Sequence, residues 1–139
     1  MTLIKSISGI RGTVGTNDGE NLSPMNMVKF AAAYGTWIKE KHPDNTKVVI
    51  GRDARLSGEM LAHLLTGTLQ SVGIDVVDLG LATTPTVEMA VVAENAAGGV
   101  ILSASHNPKH WNALKLLNEK GEFISAADGR RVLIITEDD

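Results

Sequence analysis

Residues 103 to 108 read Ser-Ala-Ser-His-Asn-Pro and follow directly on the apolar run Gly99-Val100-Ile101-Leu102. A short buried strand that stops in two serines, a histidine and a loop-forming Asn-Pro puts reactive groups where the backbone turns out of a sheet. In open α/β sheets, ligands collect at such carboxyl ends of strands. A serine hydroxyl beside an imidazole is also equipped to carry a covalent group. Two more polar loops follow or lie near strand ends, Ser8-Gly9-Ile10-Arg11-Gly12-Thr13 and Gly51-Arg52-Asp53-Ala54-Arg55-Leu56-Ser57-Gly58. With the segment after the Ser/His loop they supply Arg11, Arg52, Arg55, His106, Lys109 and Lys115. Guanidinium forks match phosphate oxygens in a bidentate way. Glycine lets backbone N–H groups approach an oxyanion. The ligand class that suits this chemistry is a phosphorylated small molecule.

Each of these residues also has a plainer role open to it. Ser105 could be a turn serine bonded to its own backbone, and His106 could only brace the loop. Arg52 and Asp53 are adjacent, so they either hold the loop as a salt bridge or meet substrate; Arg55 and Ser57 carry the same two readings. Ser103 reads as structural, and Lys109 as a solvated loop charge. His42, His63 and His110 have no matched partner in the sequence and read as surface or packing residues. Trp111 could floor a sugar site or cover the sheet edge. No Gly-x-Ser-x-Gly elbow, Walker A loop or Gly-x-Gly-x-x-Gly fingerprint occurs, so hydrolase, P-loop and dinucleotide chemistry have no local support.

The elements that must position these loops alternate. Residues 47–50, 74–79 and 99–102 are short, β-branched and bounded by glycine or polar residues, the signature of strands. Ser23-Pro24 starts a helix, with Met27, Phe30, Ala31, Tyr34 and Ile38 as its apolar stripe. Leu61, Leu64, Leu65, Leu69 and Val72 form a second stripe closed by Gly73. A third helix begins at Thr84-Pro85 and runs to about Asn95. Ala113 to Leu117 reads as another strand, turning through Glu119-Lys120-Gly121-Glu122 to Phe123-Ile124, and a last helix follows with Ser125 as N-cap. The gap after Leu102 is too short for a crossover helix, which makes this strand antiparallel to its predecessor. Gly9, Gly12 and Gly15 read as punctuation of a flexible early loop. The expected fold is a three-layer α/β/α sandwich with a mixed, mainly parallel sheet of about four strands.

Bulk properties agree with a globular domain: 139 residues, 43% hydrophobic and 21% charged. A net charge of −3 speaks against general nucleic-acid binding. No apolar stretch is long enough to span a bilayer, and the amino terminus does not read as a signal peptide. The absence of cysteine excludes disulfides and thiolate metal sites. The expected setting is cytoplasmic, with neither nucleic acid nor membrane as partner.

The ordered set Gly-Ile-Arg-Gly, Gly-Arg-Asp-x-Arg-x-Ser-Gly, Ser-Ala-Ser-His-Asn-Pro and Asn-Ala-Leu-Lys resembles the amino-terminal domain of the α-D-phosphohexomutases. That superfamily holds phosphoglucomutases, phosphomannomutases and phosphoglucosamine mutases. The resemblance runs from about Leu3 to Ile124. It implies that Ser105 carries a phosphate and donates it to a hexose phosphate, giving a hexose bisphosphate that returns its other phosphate to the serine. A 1-phosphate and a 6-phosphate are thereby interconverted. It further implies that His106 orients the reacting groups and stabilises charge, that Asn107 helps bind the substrate or its phosphate, and that Lys115 and Arg11 steady the phosphoryl group or assist proton transfer. Phosphoryl transfer is mostly positioning and charge stabilisation, so a cation cluster is the expected equipment.

The resemblance also implies Mg²⁺, bound through a phosphate oxygen on Ser105 and an Asp-Gly-Asp-x-Asp-Arg loop of a second domain that these residues do not contain. Two motifs depart from the family pattern. Asn112-Ala113 stands where Asn-Gly is usual, and Ser8 stands where the first motif usually has aspartate. Residues 1–139 are therefore expected to be domain I of a longer multidomain enzyme, partnered by the remaining mutase domains and by a hexose phosphate. Alone, the chain is expected to have little or no mutase activity. The early Gly-Ile-Arg-Gly loop tilts the substrate toward the phosphoglucosamine or phosphomannose branch. The competing class is a stand-alone, non-catalytic domain that binds sugar phosphates or another protein.

Overall fold

Ser23 starts the first helix, α1 (Pro24–Lys41), as its sequence pattern predicts: its Oγ accepts the Asn26 N–H at 3.1 Å and proline sits in the first turn. The computed structural model describes residues 4–6, 9–17, 19, 21–55, 57–103 and 111–137. The remaining helices are α2 (Gly58–Ser71), α3 (Thr84–Ala93) and α4 (Ala126–Glu137). Thr83 caps α3 and Ser125 caps α4, the latter taking the Asp128 N–H at 3.1 Å. Gly73 stands just past α2 at φ +89°, the left-handed position that closes a helix. At the end of α1, the His42 N–H bonds the Ile38 carbonyl at 2.8 Å. His42 Nε2 lies 3.6 Å from Glu119 Oε2, so this histidine packs against an acidic neighbour.

The strands are β1 (Ile4–Ser6), β2 (Gly9–Thr13), β3 (Lys47–Arg52), β4 (Asp75–Leu81), β5 (Gly98–Leu102) and β6 (Trp111–Leu117). They form one mixed sheet in the order β1-β2-β6-β5-β3-β4. The βαβ half behaves as expected, with β3 parallel to both β4 and β5. β6 runs antiparallel to β5, also as expected. The sheet is wider than four strands because Gly9–Thr13 is not a loop. It is β2, antiparallel to β6 and followed outward by β1, so parallel pairing is confined to the β5-β3-β4 half. Its glycines hid it, since glycine weakens a strand signal. Gly9 is nonetheless required there: a Cβ at this position would overlap the Leu114 carbonyl oxygen, so only glycine lets β2 approach β6 so closely.

Alternation along the strands divides the core between two faces. Val48, Ile50, Val100, Leu102, Leu114 and Leu116 belong to the larger cluster with α1, α2 and α4. Val49, Ile101 and Leu117 pack with Val87 and Val91 of α3 on the other face. Tyr34 ties the larger face together. It is fully buried, and its hydroxyl lies 2.7 Å from the Leu117 carbonyl and 3.1 Å from that of Gly99. Gly98 beside it has no room for a Cβ under that hydroxyl. Among the described residues, no helix is long and apolar enough to cross a membrane.

Candidate functional site

Ser105, His106, Asn107 and Lys109 lie outside the described residues. The two ends of their loop are defined. On the way out, Ser103 N–H donates to the Ala113 carbonyl at 3.1 Å; on the way back, Trp111 begins β6. Beside the outgoing end, the Asp53 N–H donates to the Leu102 carbonyl at 3.0 Å. The loop after β3 and the Ser/His loop therefore leave the sheet side by side.

Arg11 and Lys115 come together through strand pairing rather than through sequence proximity. In the β2–β6 ladder Arg11 stands opposite Ala113 and Gly9 opposite Lys115. The two cations are thus one pleat apart on the same face of the sheet. This is the face that carries α3, but α3 packs over β3 and β5. Arg11 is exposed and Lys115 half-buried. Burial pushes the Lys115 ammonium below its ordinary range; the Asp53 carboxylate opposes this, and the Arg11 and Arg55 guanidiniums add to it. Lys115 is therefore within electrostatic reach of the other two loops.

The second loop divides differently from the sequence reading. Asp53 does not pair with its neighbour Arg52. Its Oδ2 accepts Arg55 Nε at 3.1 Å, and its Oδ1 accepts the Arg55 backbone N–H at 3.1 Å. The second bond is an Asx turn, which brings residue 55 back over residue 53 where an adjacent side chain would point away. Arg55 also donates from Nη1 to the Trp111 carbonyl at 3.3 Å, so this arginine bridges two loops. The Arg52 side chain lies against Gly58 at the start of α2. Arg52 pairs with Leu102, whose side chain is in the cluster with α1, α2 and α4; that is the face opposite Lys115. Ser57 Oγ accepts Asn112 Nδ2 at 2.9 Å.

Asn112 is the member of this group that sequence reasoning passed over, noting it only as the residue before Ala113. It is a fully buried polar side chain at the start of β6. The available signal was an asparagine just after a loop, a position where the side chain bonds nearby backbone.

Among the described residues, no three His, Cys, Asp or Glu side chains converge to hold a metal ion. They do not fit a resident Mg²⁺ by themselves.

Comparison with known proteins agrees with the motif order. Residues 3–138 match the family model for phosphoglucomutase/phosphomannomutase, alpha/beta/alpha domain I. A phosphoglucomutase/phosphomannomutase of Thermococcus kodakarensis is 42% identical over 113 residues, covering 81% of this chain and 24% of that protein. A phosphoglucosamine/phosphogalactosamine mutase of Sulfurisphaera tokodaii is 38% identical over 113 residues, 81% of this chain and 23% of the relative. The chain thus spans about a quarter of the length of these relatives. A crystal structure from Thermus thermophilus, provisionally named a phosphomannomutase, superposes with a TM-score of 0.86 at 28% identity, covering 98% of this chain and 30% of that one. With the fold, the motif order and nearly every residue accounted for, this chain belongs to the phosphoglucomutase/phosphomannomutase family, as its α/β/α domain I.

Proposed function

We propose that this chain is the phosphate-carrying part of a phosphohexomutase and that Ser105 is the carrier. The observation that supports it best is the convergence of Arg11 and Lys115 on adjacent strands, near the mouth of the Ser105 loop and within reach of Arg55. Arg11 of β2, Lys115 of β6 and Arg55 of the loop after β3, far apart in sequence, supply cations within reach of one another, which suits a phosphoryl group in transit.

In the proposed reaction, the 6-hydroxyl of a hexose 1-phosphate attacks the phosphorus on Ser105. The Ser105 Oγ–P bond breaks, a new O6–P bond forms, and the hydroxyl proton leaves. The resulting hexose 1,6-bisphosphate reorients. Ser105 Oγ then attacks the phosphorus on O1, the O1–P bond breaks, O1 is protonated, and hexose 6-phosphate departs with the serine again phosphorylated. A lysine that releases its proton more readily than usual suits the exchange of those protons at Nζ of Lys115. Arg11 offsets the charge on the phosphoryl oxygens. His106 and Asn107 orient the group within the loop. Among the described residues no cluster of ligands would hold Mg²⁺, so no step is assigned to it. The names of the relatives favour an aminohexose, mannose or glucose phosphate as substrate. Sugar selection and full turnover are assigned to other domains of the same polypeptide.

Intact-mass spectrometry after incubation with glucose 1,6-bisphosphate tests the carrier. One added phosphate that is absent from Ser105→Ala is the expected result. An unmodified parent chain overturns the proposal and favours a non-catalytic binding domain.

A further inference from the structure

We propose that Asn112 is a positioning residue for the reactive-serine loop: it ends the β5–β6 ladder at Ala113 and tethers the start of β6 to Ser57 before α2. The consequence for phosphoryl transfer rests on the function proposed for Ser105; the structural role does not.

Three observations carry this. Asn112 is 0% exposed, and both ends of its amide are engaged. Its Oδ1 accepts the Ala113 N–H at 2.8 Å, and its Nδ2 donates to Ser57 Oγ at 2.9 Å. The second observation concerns the ladder. Ser103 N–H donates to the Ala113 carbonyl at 3.1 Å, as in a hydrogen-bonded antiparallel pair. Such a pair exchanges both bonds, which would send the Ala113 N–H across to residue 103. The Asn112 side chain takes that donor instead, so pairing stops and the two strands part at the point where the loop leaves.

The third observation is what Ser57 does not do. It stands at the N-cap of α2, where a serine hydroxyl ordinarily accepts an N–H from the first turn. Its backbone is helical, at φ −74° and ψ −13°, and the hydroxyl makes no capping bond. The hydroxyl is used for Asn112. A bond between two side chains far apart in sequence thereby fixes the return of the loop against a helix that packs on the sheet.

Hydrogen exchange and phosphate uptake of the 139-residue chain separate the possibilities. Ser57→Ala, which removes the tether and keeps the Asn112–Ala113 contact, should speed exchange of the Ser103 amide by about tenfold, the loss of one hydrogen bond, with the Val48 to Ile50 amides unchanged. Ser57→Thr, which keeps the hydroxyl, should restore the slow rate. Phosphate uptake from glucose 1,6-bisphosphate should slow in Ser57→Ala with little change in the concentration giving half-maximal rate. Unchanged Ser103 exchange in folded Ser57→Ala overturns the proposal, as does a Ser57→Thr chain that behaves like alanine. If the parent chain takes up no phosphate, the carrier role of Ser105 fails, while the exchange measurement still decides the role of Asn112.

Discussion

Arg55 holds Asp53 through two donors, its side-chain Nε and its own backbone N–H, each 3.1 Å from a carboxylate oxygen. Its Nη1 reaches on to the Trp111 carbonyl. One guanidinium therefore joins the loop after β3 to the first residue of β6. Lysine cannot reproduce this fork. Arg55→Lys should lower stability by about 1–2 kcal/mol, read as a shift in the urea midpoint. An unchanged midpoint would mean that the bridge contributes nothing in solution.

Lys115 should show a pH signature of opposite sign to the usual buried ion pair. Its ammonium is less stable in the folded chain than in the unfolded one, so the folded state binds that proton more weakly. The resulting penalty is fully present below the folded value and disappears as pH rises past the unfolded value, 10.5. Lys115→Met should therefore be at least as stable as the parent at neutral pH, with the difference shrinking toward pH 10.5. Its phosphate transfer should fall by about a hundredfold or more. A variant that loses stability at neutral pH contradicts this sign.

The docking of α4 on α1 should weaken in acid. Asp128 is partly buried, which alone would raise its carboxyl; hydrogen bonds from Lys41, at 2.9 Å, and from Ser125 outweigh this and hold it below 3.8. The stability it contributes is present above that ordinary value and is lost as pH falls through the lower folded one. In unfolding measured from pH 6 downward, Asp128→Asn should show a shallower acid decline than the parent. Identical pH profiles for the two chains count against the assignment.

Gly9→Ala should be among the costlier single changes in the chain. The new methyl must displace the Leu114 carbonyl, and overpacking of this kind typically costs about 1–3 kcal/mol. Because β2 and β6 also carry Arg11 and Lys115, phosphate uptake should fall along with the thermal midpoint. A chain as stable as the parent would show that β2 can move away from β6 at little cost.

Local signals alone determined much of this protein. Ser23, Thr83 and Ser125 act as caps within a few residues of themselves, and the stripe from Met27 to Ile38 buries as its spacing requires. The short gap after Leu102 forced β6 to run antiparallel. The order of four polar motifs was enough to identify the family. What the tertiary structure decided lies between segments distant in sequence. Gly9 became part of a strand because β6 lies close enough to exclude a side chain there. Asp53 took Arg55 over Arg52 because the turn brings residue 55 back over the carboxylate. Ser57 gave up helix capping for Asn112 only because β6 and α2 meet. Capping and periodicity are contests among neighbouring residues, whereas partner choice in a packed site depends on which strands adjoin, and the chain establishes that only by folding.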